Sequence, residues 1–194
     1  MTGRARARLG VFISGSGRTL MNLVDRCARG AINAEIVDVV ASKPCAGADR
    51  ARAAGLPVEI IPGDIPADAL LDRVERLGLD WVVLAGYLRL VPVPPALRER
   101  IINIHPALLP GDGTSGRFGG PGLYGLRVHR AVLEAGERES GCTVHFCDDR
   151  YDSGSIILQA RCPVLATDTP EDLAARVFEL ELEALPRALQ LLIG

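Results

Sequence analysis

Apolar positions come in short blocks separated by stretches with helical spacing. The run from Leu9 to Ile13 predicts a buried strand. Ser14-Gly-Ser-Gly17 breaks it. Leu20, Leu23, Val24 and Cys27 then recur on one face and predict a helix from about Thr19 to Arg29. Ile36 to Ala41 predicts a second strand, and Gly47 to Ala54 a short helix stopped by Gly55 and Pro57. Val58 to Ile61 predicts a third strand and Ala67 to Leu77 a helix. Trp81-Val-Val-Leu-Ala85 is a buried strand by the same reading. Pro92, Pro94 and Pro95 mark a turn before a short helix to Arg100, and Ile101 to Ile104 is the next strand. Strands alternating with helices of this size predict an α/β chain, an open and mostly parallel twisted sheet with helices on both faces.

The texture changes after His105. Pro110 to Gly122 is rich in Gly, Ser, Thr and Pro and reads as a long mobile loop. A helix is expected from about Tyr124 to Ala135. Thr143 to Phe146 and Ile156 to Ala160 predict two strands around a turn, an antiparallel C-terminal strand element. Thr169-Pro-Glu-Asp172 is a helix start, with Thr as cap, Pro in the first turn and acids near the positive end of the dipole. That helix runs close to the C-terminus. One domain over residues 1–194 is expected, with no linker, repeat or second domain.

Composition narrows the class. Of 194 residues 48% are apolar and 24% charged, which suits a folded chain with a core and excludes a disordered one. The net charge of −2 gives no general pull toward nucleic acid or an acidic membrane. Arg4, Arg6 and Arg8 make residues 1–8 a basic, solvated, flexible arm. No run approaches the roughly 20 apolar residues of a membrane span, and the run after the arm is too short for a signal-peptide core. The five cysteines are odd in number and lack a Cys-x-x-Cys, which fits a reducing cytoplasm. His145 and Cys147 share a strand parity. Without a paired-ligand motif they read as a filler His and a buried thiol, so no metal is expected.

Two places carry chemistry. Gly15-Ser-Gly17-Arg-Thr19 lies between a strand and a helix, where free amides suit a phosphate, and Arg18 adds a planar cationic fork. It lacks the Gly-Lys-Ser/Thr ending of a Walker loop. As a dinucleotide fingerprint it has Leu20 where the third Gly belongs, although Asp38 falls at a suitable distance. A phosphate site and a plain tight turn both fit it. The second place is Asn103-Ile-His105-Pro106. Asn103 and His105 share one face at the carboxyl end of a predicted parallel strand, where open α/β sheets bind ligands. Asn can donate to a developing oxyanion, His can hold or deliver a proton near neutral pH, and Asp152, in the turn Asp152-Ser-Gly154, can orient the His and favour its charged form. Taken singly, each has a structural reading, a loop contact for Asn103, a strand cap for His105 and a turn for Asp152. Their occurrence together favours acyl transfer without a covalent enzyme intermediate.

On these segments the chain resembles the glycinamide ribonucleotide transformylases of the folate formyltransferase superfamily. The matching stretches are Val11-Phe-Ile-Ser-Gly-Ser-Gly17, Val82-Val-Leu-Ala-Gly86, Asn103-Ile-His-Pro-Ala-Leu-Leu-Pro110, Gly141-Cys-Thr-Val-His-Phe146 and Asp152-Ser-Gly-Ser-Ile-Ile-Leu-Gln159. The resemblance implies a Rossmann-like formyltransferase fold and transfer of a formyl group from 10-formyltetrahydrofolate, as co-substrate, to the amine of 5'-phosphoribosylglycinamide in purine biosynthesis. It implies Asn103, His105 and Asp152 as the catalytic trio, and Gly17, Arg18, Thr19 and Glu181 as substrate contacts. Leu88, Arg89, Leu90 and Val91, and Asp148, Asp149, Arg150, Tyr151 and Asp152 with Asn103, match the walls of the folate site. Small-molecule partners are implied, with a homodimer left open. Arg18-Thr19 departs from the family's usual Gly-Ser-Asn, the Gly111 to Gly120 stretch is longer, and Asp68 stands near the place of a folate-contacting Arg. A sister formyltransferase serving another amine, and a nucleotide- or folate-binding module without catalysis, are the competing readings.

Overall fold

The structure, a computed structural model, describes residues 6–194. Its strands are β1 (Ala7–Ile13), β2 (Ala34–Ala41), β3 (Val58–Ile60), β4 (Trp81–Leu84), β5 (Ile101–His105), β6 (Glu139–Phe146) and β7 (Ile156–Pro163). Its helices are α1 (Arg18–Ala28), α2 (Ala46–Ala53), α3 (Ala67–Leu77), α4 (Leu126–Glu134) and α5 (Pro170–Ile193), with a 3-10 turn at Pro95–Leu97. The seven strands form one sheet in the order β3-β2-β1-β4-β5-β6-β7. The β1–β2, β1–β4 and β2–β3 pairs are parallel, while β5–β6 and β6–β7 are antiparallel. The expected mixture of a parallel sheet and an antiparallel C-terminal element is therefore present.

The chain divides into two compact units. The first runs up to Ile101 and takes in Leu189–Gly194, and the second is Ile102–Ala188. In the first unit Phe12, Ile13, Val39, Val40 and Val83 are wholly buried, as parallel strands covered on both faces require. Strand order reverses between β1 and β4, so the loops leaving these two strands flank a switch point, the usual ligand crevice of open α/β sheets. Ser14 ties those loops together. Its N–H donates to the Gly86 carbonyl at 3.1 Å, and its Oγ accepts from the Leu88 N–H at 3.0 Å and from the Ser42 hydroxyl at 2.7 Å.

One expectation is corrected in this unit. Ala7 and Arg8 belong to β1 and not to a flexible arm, since Arg8 reaches Glu35 at 2.8 Å and the Leu77 carbonyl at 3.0 Å while its N–H donates to Asp80 at 2.8 Å. Arg4 lies outside the described residues. Asp38 lies in β2, inside the strand expected over Ile36 to Ala41, and is gripped by Arg73 through two hydrogen bonds of 2.6 and 2.7 Å. Both side chains are buried, so this pair is a structural one that satisfies two charges at once.

In the second unit, β5 and β6 pair with Asn103 opposite His145 and His105 opposite Thr143. Directly opposed residues of antiparallel strands share a face. Helix α5 starts at the expected signal, where Asp172 N–H donates to Thr169 Oγ1 at 3.2 Å and Thr169 N–H donates back to Asp172 Oδ2 at 3.0 Å, a reciprocal cap.

Candidate active site

The carboxyl end of β5 and the turn before β7 meet in the second unit. Asn103 Nδ2 donates to Asp152 Oδ1 at 3.3 Å and lies 3.1 Å from His145 Nε2. His105 Nδ1 faces the same Asp152 oxygen at 3.4 Å, and His145 Nε2 faces it at 3.6 Å. Asp152 Oδ2 accepts from the Gly120 N–H at 2.9 Å. His105 and His145 are buried, and the Asp152 side chain keeps only 10% of its exposure. Asn103, His105 and Asp152, singled out from sequence, thus converge on one carboxylate oxygen. His145 joins them as a fourth member.

Tautomers follow from the partners. His145 Nδ1 lies 2.8 Å from its neighbour's carbonyl, that of Phe146, and must carry the hydrogen there. Its Nε2 is then an acceptor for Asn103. His105 Nε2 lies 2.7 Å from the Phe118 carbonyl and likewise carries a hydrogen. That leaves His105 Nδ1 opposite a carboxylate oxygen. In the neutral imidazole two lone pairs face one another across this gap, and a single proton placed between them satisfies both.

The charge state of His105 differs from expectation. Burial pushes its imidazolium down, and the Asp152 carboxylate and the Phe118 carbonyl, which favour the charged form, do not overcome burial. Burial thus favours the neutral imidazole over the cation held by Asp152 that was expected. For Asp152 burial raises the carboxyl, but the His145 and His105 rings, whenever they carry a proton towards it, and the Gly120 N–H outweigh burial and bring the group below its ordinary value. The site pairs an ionised acid with an uncharged imidazole, ready to receive one proton.

The loop leaving β5 is held by its neighbours in the sheet. Thr143 Oγ1 donates to the Ala107 carbonyl at 2.7 Å and accepts from the Leu109 N–H at 3.1 Å. Gln159 Nε2 donates to the Leu109 carbonyl at 2.8 Å and to Thr143 Oγ1 at 2.9 Å. Farther on, the segment expected to be a mobile loop is tied down. Arg150 Nη2 donates to the Gly113 carbonyl at 2.8 Å, and Ser115 Oγ donates to the Tyr151 carbonyl.

The turn before α1 lies in the first unit. Gly17 adopts a left-handed conformation, φ 71, and no side chain caps the helix. Arg18 is exposed and Thr19 buried. A Cβ on Gly17 would lie 2.5 Å from the Gly47 Cα, and the Gly47 N–H donates to the Gly15 carbonyl at 2.9 Å. The turn is thus pressed against the start of α2, and Arg50 braces it through the Ser16 carbonyl at 2.8 Å.

The sequence pattern of the formyl transferase family matches residues 7–189. The chain belongs to the formyl transferase family. It is 45% identical over 187 residues to a chloroplastic phosphoribosylglycinamide formyltransferase of Arabidopsis thaliana, covering 91% of this chain and 62% of that one. It is 34% identical over 190 residues to the phosphoribosylglycinamide formyltransferase of Haemophilus influenzae, covering 92% of this chain and 84% of that one. The crystal structure of glycinamide ribonucleotide transformylase 1 from Symbiobacterium toebii superposes with a TM-score of 0.84 at 38% identity, covering 99% of this chain and 92% of that one. The chain spans about three fifths of the length of the plant relatives it matches.

Within this member of the family the remaining predicted residues are placed as follows. Leu88 and Leu90, at 43% and 39% exposure, flank Arg89 while Val91 is buried, all in the first unit. Arg89 pairs with Asp64 at 3.2 Å. Asp68 accepts the Ala69 N–H in the first turn of α3, a helix-start contact. Asp148 accepts from the Ser153 hydroxyl at 2.6 Å and the Arg150 N–H at 3.0 Å, shaping the turn that carries Asp152, whereas Asp149 and Arg150 are exposed. Glu181 is half-buried on α5, close enough to Cys142 of β6 for its charge, after burial, to help push that thiol up to about 12. Among the described residues no cluster of three or more His, Cys, Asp or Glu is arranged to hold a metal ion, and no helix is long and apolar enough to cross a membrane.

Proposed function

We propose that this chain transfers the formyl group of 10-formyltetrahydrofolate to the amine of 5'-phosphoribosylglycinamide, a step of purine biosynthesis. The carrying observation is the convergence of Asn103, His105 and Asp152 on one partly buried carboxylate oxygen. Membership of the family, and the activity in the names of its relatives, support the same reading.

The residues divide the work. The amine attacks the formyl carbon, the C=O π pair moves onto oxygen, and Asn103 Nδ2–H donates to that oxygen as charge develops, an interaction strongest in the transition state. The proton lost by the attacking amine passes to the gap between His105 Nδ1 and Asp152 Oδ1 and from there to the leaving nitrogen, which takes the electrons of the broken C–N bond. A neutral His105 suits this better than a cation, because it can accept before it gives. In the first unit, the amides of the turn at Gly17, Arg18 and Thr19 hold the phosphate, and Leu88, Arg89, Leu90 and Val91 contact the folate. In the second, Asp148 to Asp152 contact the folate and Glu181 the amine substrate. The exposed Leu88 and Leu90 support an apolar ring as ligand. Small-molecule partners and a cytoplasmic setting belong to the same proposal, the latter supported by five free thiols.

A second reading, a sister enzyme serving another phosphorylated amine, draws on the exposed Arg18 in the phosphate turn. Transfer assays with phosphoribosylglycinamide against other phosphorylated amines separate the two. In the same assay Asn103→Ala and Asp152→Ala should each lower turnover by about 10²–10³. Near-normal turnover in both variants would remove the assignment.

A further inference from the structure

The hydrogen bonds that fix His105 and Asp152 from the loop side come from main chain. The Phe118 carbonyl accepts from His105 Nε2 at 2.7 Å, and the Gly120 N–H donates to Asp152 Oδ2 at 2.9 Å. These groups are two residues apart, so one short segment sets both side chains. Gly119, between them, has no room for a side chain. A Cβ there would lie 2.4 Å from the Ser115 carbonyl oxygen, 2.8 Å from Leu109 Cδ2 and 3.0 Å from the Asp152 Cβ. Gly119 is outside the left-handed region, so close approach and not torsion demands glycine. Asp152 itself does hold a left-handed backbone, φ 53, a conformation that residues with side chains avoid. The hydroxyl of Ser115 donates to the carbonyl of the residue before it, Tyr151, and so ties the same loop to the Asp152 turn.

We propose that Ser115, Phe118, Gly119 and Gly120 form a main-chain clamp that positions the proton-transfer pair. The carbonyl end decides which nitrogen of His105 faces Asp152. The amide end adds to the groups that favour the Asp152 carboxylate and holds it aimed at Asn103 and His105. None of the four need touch substrate, so they are positioning residues. The proposal rests on the formyl-transfer reading for its effect on rate, but not for its effect on titration. The groups that face Asp152 are Asn103 and His105 of β5, His145 of β6 and the Gly120 N–H; its charge also reaches Cys147, and His105 in turn bears on His129 of α4.

The test uses the full chain with Gly119→Ala and Ser115→Ala. Carboxyl-carbon NMR follows the titration of Asp152, imidazole NMR that of His105, and steady-state kinetics kcat and KM. In Gly119→Ala the added methyl pushes the segment away, so Asp152 should titrate higher by at least about half a pH unit as its N–H partner leaves. Ser115→Ala should shift it the same way by less. Turnover in Gly119→Ala should fall by about tenfold to a hundredfold with KM for both substrates within about twofold. An unchanged Asp152 titration in a folded Gly119→Ala overturns the clamp, whatever happens to kcat. If that variant does not fold, Ser115→Ala decides on the same criterion. A wild-type chain that transfers no formyl group, yet whose Asp152 shifts as described, keeps the clamp and removes the proposed function.

Discussion

Asn103 has two amide hydrogens, and at rest His145 Nε2 and Asp152 Oδ1 compete for both. Donation to a developing oxyanion requires one to be released, and the longer contact, to Asp152 at 3.3 Å, is the one to give way. His145 then keeps the amide aimed. Replacing it by Leu leaves Asn103 free to rotate, so His145→Leu should lower kcat about tenfold with little change in KM, and His145→Gln, which restores an acceptor, should recover most of the loss. Steady-state kinetics on the two variants checks this, and equal losses would show that the acceptor is immaterial. Asn103, His105 and Asp152 were legible in the sequence because their chemistry lies in their residue types and their spacing puts them at a strand end and in a turn. His145 was not, because it enters only through the β5–β6 register that sets it opposite Asn103. The neutral state of His105 was hidden for a different reason. A sequence shows the neighbouring acid but not the burial that outweighs it.

Elements were readable where their signals are local. Apolar runs marked the strands, and Thr169 with Asp172 marked the start of α5. Ends set by distant partners were not, and β1 begins at Ala7 because Arg8 is held by Glu35, Leu77 and Asp80, far along the chain. The Gly-rich stretch after Pro110 was readable as a loop, yet nothing in its composition shows that its carbonyls and amides would be used. Contact between elements also governs the turn proposed to hold the phosphate. A Cβ on Gly47, at the start of α2, would meet the Gly15 carbonyl at 2.8 Å and Gly17 at 2.9 Å. Gly47→Ala should therefore distort the amides offered to phosphate. We expect KM for the phosphorylated amine to rise about tenfold while KM for the folate stays within about twofold, since a displaced helix N-terminus forfeits its anion contacts. Separate saturation curves for the two substrates decide it, and parallel rises in both would point to general loosening.

The molecule as a whole carries a built-in acid sensitivity. His129 on α4 is buried, its Nδ1 has no partner among the described residues, and burial lowers it from 6.5 to about 4, with His105 adding to the effect whenever that ring is protonated. His105 is lowered as well. Above the ordinary histidine range folded and unfolded chains both hold these rings neutral, and stability does not depend on them. As pH falls through 6.5 the unfolded chain takes up protons that the folded chain refuses until about pH 4. Stability is lost across that window, on the order of 3 kcal/mol from His129 alone. Urea unfolding at pH 7.5 and 4.5 should show a smaller drop in midpoint for His129→Leu than for the unaltered chain, and equal drops would exclude His129 as the source. The division into two units has a consequence of another kind. Leu189–Gly194 belongs to the unit built from β1 to β4, where Leu189 is wholly buried and Gln190 Nε2 donates to the Ala31 carbonyl at 2.7 Å. All of Ile102–Ala188 comes between in the order of synthesis. A ribosome making this chain therefore holds a first unit that lacks its closing residues for on the order of ten seconds at ordinary elongation rates. Through that interval the nascent protein depends on whatever shields the seat of Leu189.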